Sequence, residues 1–147
     1  MGVTKYVLLA QAAATLGMTG LIWMVQIVHY PLFAMVGEEE FVDYETAHTQ
    51  QITFIVGPLM LVELAASGYL LFLRPQEIPL SWAAVGAILV LAIWLITLLV
   101  SVPQHTALNQ GFQSPAHRRL VASNWGRTAA WSVRALLALA MVATQMR

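Results

Sequence analysis

Four long apolar stretches follow one another along the chain, separated by short polar segments. They cover approximately residues 6–28, 52–73, 80–102 and 120–142. Each is long enough to cross a bilayer, which takes about 20 residues in a helix. None alternates with the period of two that strands show, and lipid cannot satisfy the backbone groups of an open chain. The pattern therefore predicts an all-α membrane protein, a single domain over residues 1–147 in which four transmembrane helices form an up-down bundle.

Proline, glycine and charged residues mark the connections between these stretches. The segment 74–79, RPQEIP, predicts a tight turn, and 102–119 predicts a longer connector in which Pro103 ends the third span. The segment 37–48 has apolar residues at helical spacing, so it predicts a short amphipathic helix or an early extension of the second span. Three consecutive glutamates, 38–40, predict a solvated start to that helix.

Composition supports lipid as the surrounding solvent. Hydrophobic residues make up 59% of the chain and charged residues only 10%, whereas a soluble domain has about a quarter of its residues charged. We expect an integral protein of a bacterial inner membrane, with an uncleaved first span and both termini in the cytoplasm. A formal net charge of zero gives no indication of a nucleic-acid partner. The absence of cysteine excludes disulfides and thiolate metal sites, and the pattern leaves a homo-oligomer open.

The up-down topology collects the histidines at one end of the bundle. The connectors 31–51 and 103–119 share that end, whereas the termini and the turn at 74–79 share the other. Three of the histidines each lie at the end of a different span and are expected at the same level in the membrane. The fourth lies beside two arginines, where an interfacial role is expected. The four are His29, His48, His105 and His117.

Several kinds of site are compatible with these histidines. Glu45 and His48 have the E-x-x-H spacing that di-metal carboxylate bundles use. Together with His29 and His105 they predict a site for a transition metal, namely iron, copper or zinc. His29 and His105 are alternatively the axial ligands of a haem. A metal-free polar pocket and a set of interfacial histidines without a site remain the other interpretations.

Two opposite charges lie deep in the second and fourth spans. A charge at the bilayer centre costs about 2.5–3.5 kcal/mol on insertion scales, so neither Glu63 nor Arg134 is expected to face lipid. Both lie at the same depth, which predicts a buried ion pair that fixes helix register, forms a polar pocket floor or handles protons. Asn124, Arg127 and Trp131 lie on the same helical stripe as Arg134, so the stripe is predicted to face the bundle interior.

Short motifs give the chain a family resemblance. The segments HYPLF, VPQHTALNQGF and the spaced pattern NW.R...W..R resemble the anthrone-oxygenase-like family of small four-helix membrane proteins over most of the chain. The resemblance implies oxidation or oxygenation of a hydrophobic aromatic substrate, with Asn109, Asn124, Arg127 and Arg134 at the polar positions of the family. A second resemblance, through IVHYPLF, is to the HemJ-type protoporphyrinogen oxidases, which are also four-helix proteins with a histidine near the end of the first span.

These features predict a small membrane oxidoreductase or oxygenase that acts on a hydrophobic small molecule. The metal or haem would be held by the histidine set, and the predicted catalytic residues are Glu63, Asn124, Arg127 and Arg134. The alternative is a non-enzymatic binding, transport or accessory subunit that uses the same polar pocket.

Overall fold

The computed structural model describes residues 2–146 and contains four long helices and no strand within that range. Neighbouring helices run antiparallel: Thr4 near the start of the first helix contacts Tyr69 near the end of the second, and Gly86 early in the third contacts Arg134 late in the fourth. The predicted all-α up-down bundle is therefore confirmed. The helices are α1 (Gly2–Met35), α2 (Phe41–Leu73), α3 (Leu80–Leu108) and α4 (Ser114–Thr144).

Within the described residues, three of these helices are long and apolar enough to cross a membrane by length and composition, namely α1, α2 and α3. The prediction of four spans is thus supported for three. Helix α4 is less apolar because it carries four arginines, two of them exposed in its first turns and two buried farther along. They are Arg118, Arg119, Arg127 and Arg134.

The bundle places large apolar side chains on its outer surface and polar ones in its interior. Phe54 and Phe72 of α2 are each 80% exposed, and Leu99 of α3 is 70% exposed. The interior instead holds polar side chains, including those of two arginines and two glutamates. The buried polar residues are Gln11, Thr15, Gln26, Glu45, Glu63, Ser67, Ser101, Asn124, Arg127, Thr128 and Arg134. Apolar helix faces that pack against nothing in the chain are typical of contact with lipid.

Helix α1 continues through Pro31, the first residue of the predicted connector 31–51. A π-helical turn, Val25–His29, precedes Pro31, and the Tyr30 N–H donates to the carbonyl five residues earlier. A proline ring clashes with the carbonyl four residues before it, which here belongs to Ile27 in the middle of the π turn. Widening the turn lets the helix pass the proline, so α1 ends only at Met35.

Helix α3 repeats this arrangement, so the prediction that Pro103 ends the third span is wrong. A π turn, Thr97–Ser101, precedes Pro103, and the Val102 N–H donates to the carbonyl five residues back. The clashing carbonyl belongs to Leu99, again in the middle of the turn. The predicted connector over 102–119 is accordingly mostly helical.

Only short segments remain outside the helices. The α3–α4 loop turns at Gly111, which has a φ of 122° that favours glycine. Helix α2 begins at Phe41, which confirms an early extension of the second span rather than a separate amphipathic helix. The preceding glutamates at 38–40 form an exposed turn before the helix.

Candidate functional site

The four histidines come together around one buried phenylalanine. Phe33, with none of its surface exposed, has its ring centroid 5.2 Å from those of His29 and His48. The corresponding distances are 6.4 Å to His105 and 6.3 Å to His117. The predicted convergence of the histidines at one end of the bundle is confirmed. Helices α1, α2, α3 and α4 each supply one of them.

Hydrogen bonds divide the predicted metal ligands into two pairs. Nε2 of His29 lies 2.9 Å from Nδ1 of His48. Nδ1 of His105 lies 2.5 Å from Oε1 of Glu45. Glu45 and His48 share a face of α2, as their spacing predicts, but each binds a side chain from a different helix.

The Glu45–His105 pair extends to a tyrosine. Glu45 is fully buried. With its carboxylate ionised it can only accept hydrogen bonds, and in that state the Nδ1–H of His105 donates to it. Nε2 of His105 is then the acceptor for the hydroxyl of Tyr30, which lies 3.0 Å away. A buried carboxylate that orients an imidazole toward a hydroxyl group is the arrangement found in Ser-His-Asp triads. Tyr30 was not among the predicted site residues.

The geometry does not assemble the predicted ligands around one metal. Among residues 2–146, no three histidine, aspartate or glutamate side chains are grouped to hold a metal ion. His29 and His105 do not oppose each other as axial haem ligands, because Nε2 of His29 contacts His48 and Nε2 of His105 contacts Tyr30. The metal and haem assignments stay predictions, because the side chains of residues 2–146 are not arranged as a set of ligands for either group.

A cavity of about 360 Å³ lies beside the Tyr30–His105 contact. Three of its wall residues are exposed, namely Thr53 of α2 and Val102 and Thr106 of α3. The cavity therefore opens between those two helices. The deeper wall is apolar and includes Met18, Ile22, Val56, Met60 and Trp94. The polar wall includes Tyr30, His48, Thr49, Ser101, His105, Asn109 and Arg127. The volume lies within the range of small-molecule pockets, about 300–1,000 Å³.

The polar stripe of α4 faces the interior, as predicted. Nη1 of Arg127 donates to Oδ1 of Asn124 at 3.2 Å and to Oγ of Ser101 at 3.4 Å. Nδ2 of Asn124 donates in turn to Oε1 of Gln26 at 2.9 Å. The guanidinium carbon of Arg127 lies 5.2 Å from the ring centroid of Trp131. Arg127 lines the cavity, whereas Asn124 supports it from behind.

The predicted ion pair between Glu63 and Arg134 is confirmed. Nε of Arg134 lies 3.2 Å from Oε1 of Glu63, and the carboxylate also accepts from Thr15 at 2.7 Å and from Trp131 at 2.8 Å. Neither charged side chain belongs to the cavity wall. The geometry therefore supports a structural role for the pair, and the proton-handling role stays a prediction.

Two further residues at this end have partners that the sequence did not indicate. His117 was expected to be interfacial, but its Nε2 donates to the carbonyl of Tyr30 at 2.7 Å, tying the start of α4 to the end of α1. Oδ1 of Asn109 accepts from the hydroxyl of Thr46 at 3.4 Å. Tyr30 directly precedes Pro31, and His117 lies two residues after Pro115. Proximity to a proline is the only sequence signal for these two residues, and it is a weak one that hydropathy does not provide.

Comparison with protein-family models, curated proteins and solved structures finds no match for this chain. The resemblance to the anthrone-oxygenase-like and HemJ-type families thus rests on the short motifs alone. The fold and the site together define an all-helical bundle that contains a cavity. The cavity is apolar at depth and polar at one end.

Proposed function

We propose that the protein is an integral membrane protein and that α4 also crosses the bilayer. The exposed faces of α1, α2 and α3 carry large apolar side chains. The two arginines in the middle of α4 are 5% and 2% exposed and face other helices. A helix whose mid-span charges face the bundle interior can cross lipid despite its composition.

We further propose that the cavity takes up a hydrophobic small molecule and that the chain removes a proton from it. The observation that supports this proposal is the hydrogen-bonded series Tyr30–His105–Glu45, whose first two members line a cavity that is apolar at depth. The substrate proton passes to the Tyr30 oxygen as the Tyr30 proton passes to Nε2 of His105. The buried carboxylate of Glu45 stabilises the imidazolium that results.

Proton removal connects this site to the oxidation or oxygenation that the family resemblance implies. The anion of an aromatic compound gives up electrons more readily than the neutral molecule does. A membrane oxidoreductase or oxygenase for a hydrophobic aromatic substrate is therefore the activity that we propose. The bilayer is the proposed source of the substrate, because the exposed wall residues of the cavity place its opening at the side of the bundle, between α2 and α3.

Hydrogen exchange of anthrone, a weak carbon acid, tests the proposed proton transfer directly. The protein in lipid nanodiscs is incubated with anthrone in D₂O, and mass spectrometry follows deuterium uptake at the acidic carbon, corrected for empty nanodiscs. We expect Tyr30→Phe and His105→Gln to slow exchange by about 100-fold or more, the usual size of general-base catalysis. Tyr6→Phe is the matched control, because Tyr6 is 71% exposed and belongs to the opposite end of α1.

The same experiment separates catalysis from binding. Wild-type exchange no faster than that of empty nanodiscs, or an unchanged rate in Tyr30→Phe, would contradict the proposed role of the series. Saturable binding of anthrone without exchange would favour the alternative, a non-enzymatic binding, transport or accessory subunit.

A further inference from the structure

Arg127 is a buried cation without a counter-ion among the described residues. It is 5% exposed, and its polar neighbours are neutral side chains: Asn124 and Ser101 accept hydrogen bonds from it, and the Tyr30 hydroxyl lies beside it. Its Nε is buried and has no partner within residues 2–146. A buried charge is costly unless it is paired and hydrogen-bonded, so the guanidinium is left with unused capacity to bind an anion.

The second buried arginine of α4 provides an internal comparison. Arg134 lies two helical turns farther along and is 2% exposed, but it pairs with the carboxylate of Glu63. Arg127 differs in lining the cavity, where no carboxylate of the described chain lies within ion-pair distance of it. The cavity is therefore the place from which a negative partner for Arg127 would come.

We propose that Arg127 holds the oxyanion of a hydrophobic molecule with a weakly acidic hydroxyl group. This inference rests on the proposed function, since the proton of that hydroxyl passes to Tyr30. The O–H bond of the ligand breaks, an O–H bond to Tyr30 forms, and the former Tyr30 proton bonds to Nε2 of His105. No electrons are transferred in this step. The negative charge stays on the ligand oxygen, beside the guanidinium.

The neighbours of Arg127 favour a hydroxyl group over a carboxylate as the ligand head. A carboxylate is already ionised in water and would leave Tyr30 and His105 without a proton to accept. A hydroxyl group is neutral in the bilayer, so it enters without the cost of desolvating a charge, and it ionises only beside the base and the guanidinium. The apolar remainder of the ligand would occupy the deeper wall around Met18, Met60 and Trp94.

A chromophoric phenol makes the ionisation visible. The probe is a 2-alkyl-4-nitrophenol, which turns yellow when it ionises, and its methyl ether is the neutral control. Both are titrated into the protein in zwitterionic nanodiscs, at a pH below the pKa of the phenol in empty nanodiscs. We expect the bound phenol to show the phenolate band and to bind at least about tenfold more tightly than the ether, the size of one hydrogen bond to a charged group.

Variants assign that effect to the guanidinium. Arg127→Gln should abolish the phenolate band and lower phenol affinity to that of the ether, while ether binding stays within about twofold, since neutral binding is apolar burial. Arg127→Lys should restore the band in part, which separates loss of charge from loss of folding. Arg119→Gln, an exposed arginine of the same helix, should behave as wild type.

The outcomes separate this inference from the proposed function. Equal binding of phenol and ether by the wild type, without a phenolate band, would overturn the oxyanion site and leave the hydrophobic cavity intact. A phenolate band that persists in Arg127→Gln would overturn the role of Arg127. Failure of both probes to bind would overturn the proposed function together with this inference.

Discussion

Replacing Glu63 by glutamine removes the charge from the buried ion pair while keeping the size of the side chain. Its single amide oxygen can replace Oε2 and accept from Trp131 at 2.8 Å, while its NH2 group can donate to the Thr15 hydroxyl, which lies 2.7 Å from Oε1. Arg134, however, is left buried and uncompensated, with only neutral partners in Gly86 and Ser67. Breaking a buried pair from one side costs about 3–5 kcal/mol, and we expect a loss of stability of that size.

Thermal unfolding of the purified protein in nanodiscs measures this loss. At about 2–4 °C per kcal/mol for a chain of this length, the Tm of Glu63→Gln should fall by about 6–20 °C. Glu77→Gln removes an exposed carboxylate from the α2–α3 turn and should leave the Tm within about 2 °C, because surface substitutions change little.

A double variant shows whether the uncompensated charge is the cause. Glu63→Gln combined with Arg134→Met leaves no buried charge, so the double variant should be more stable than Glu63→Gln alone. A Tm for Glu63→Gln equal to that of wild type would refute the reasoning. So would a double variant that melts below the single one, because the destabilisation would then come from lost packing or hydrogen bonds rather than from charge.

Three other expectations follow from the fold. Because the chain has no cysteine, single substitutions Glu39→Cys and Gln76→Cys should react with a membrane-impermeant maleimide from opposite sides of sealed vesicles, and labelling from one side would contradict the bundle topology. Gly111→Ala should lower the free energy of unfolding by about 1–3 kcal/mol, because alanine is strained at the positive φ of this position. Backbone strain is the whole of the expected effect, because an added Cβ meets no atom within 4 Å. An unchanged denaturation midpoint would contradict this. Pro103→Ala should raise the Tm, since proline is about 3 kcal/mol unfavourable inside a helix, and yet slow anthrone exchange. Pro115→Ala, in the first turn of α4, should alter neither, and normal exchange in Pro103→Ala would show that the proline is merely tolerated.

Features that depend on hydropathy and on depth in the membrane are predictable from this sequence. The four helices follow from runs of apolar residues that are too long for strands. The Glu63–Arg134 pair follows because two opposite charges at equal depth have few other partners in a four-helix bundle. The inward orientation of Arg127 follows from its helical register with Arg134, since a bilayer would exclude both from the outer surface.

Hydrogen-bond partners at the histidine end were not predictable in the same way. The spacing of Glu45 and His48 correctly places both on one face of α2, but it does not determine which residue of α1 or α3 each one meets. Because several polar side chains lie at one level, small rotations of the helices decide between a shared metal site and separate pairs. The sequence does not mark Tyr30 as a site residue, because a tyrosine next to a proline at the end of an apolar run is equally typical of an interfacial turn.

The two π turns explain why these rotations are decisive. Each π turn adds one residue relative to an α-helical turn, and one residue corresponds to a rotation of about 100° around the helix axis. Tyr30 follows the π turn of α1 directly, and His105 lies one helical turn beyond that of α3. On regular α-helices each side chain would point about 100° away from its present direction, and the Tyr30–His105 contact would be lost. The prolines that hydropathy treats as helix ends therefore help to direct both partners into the cavity.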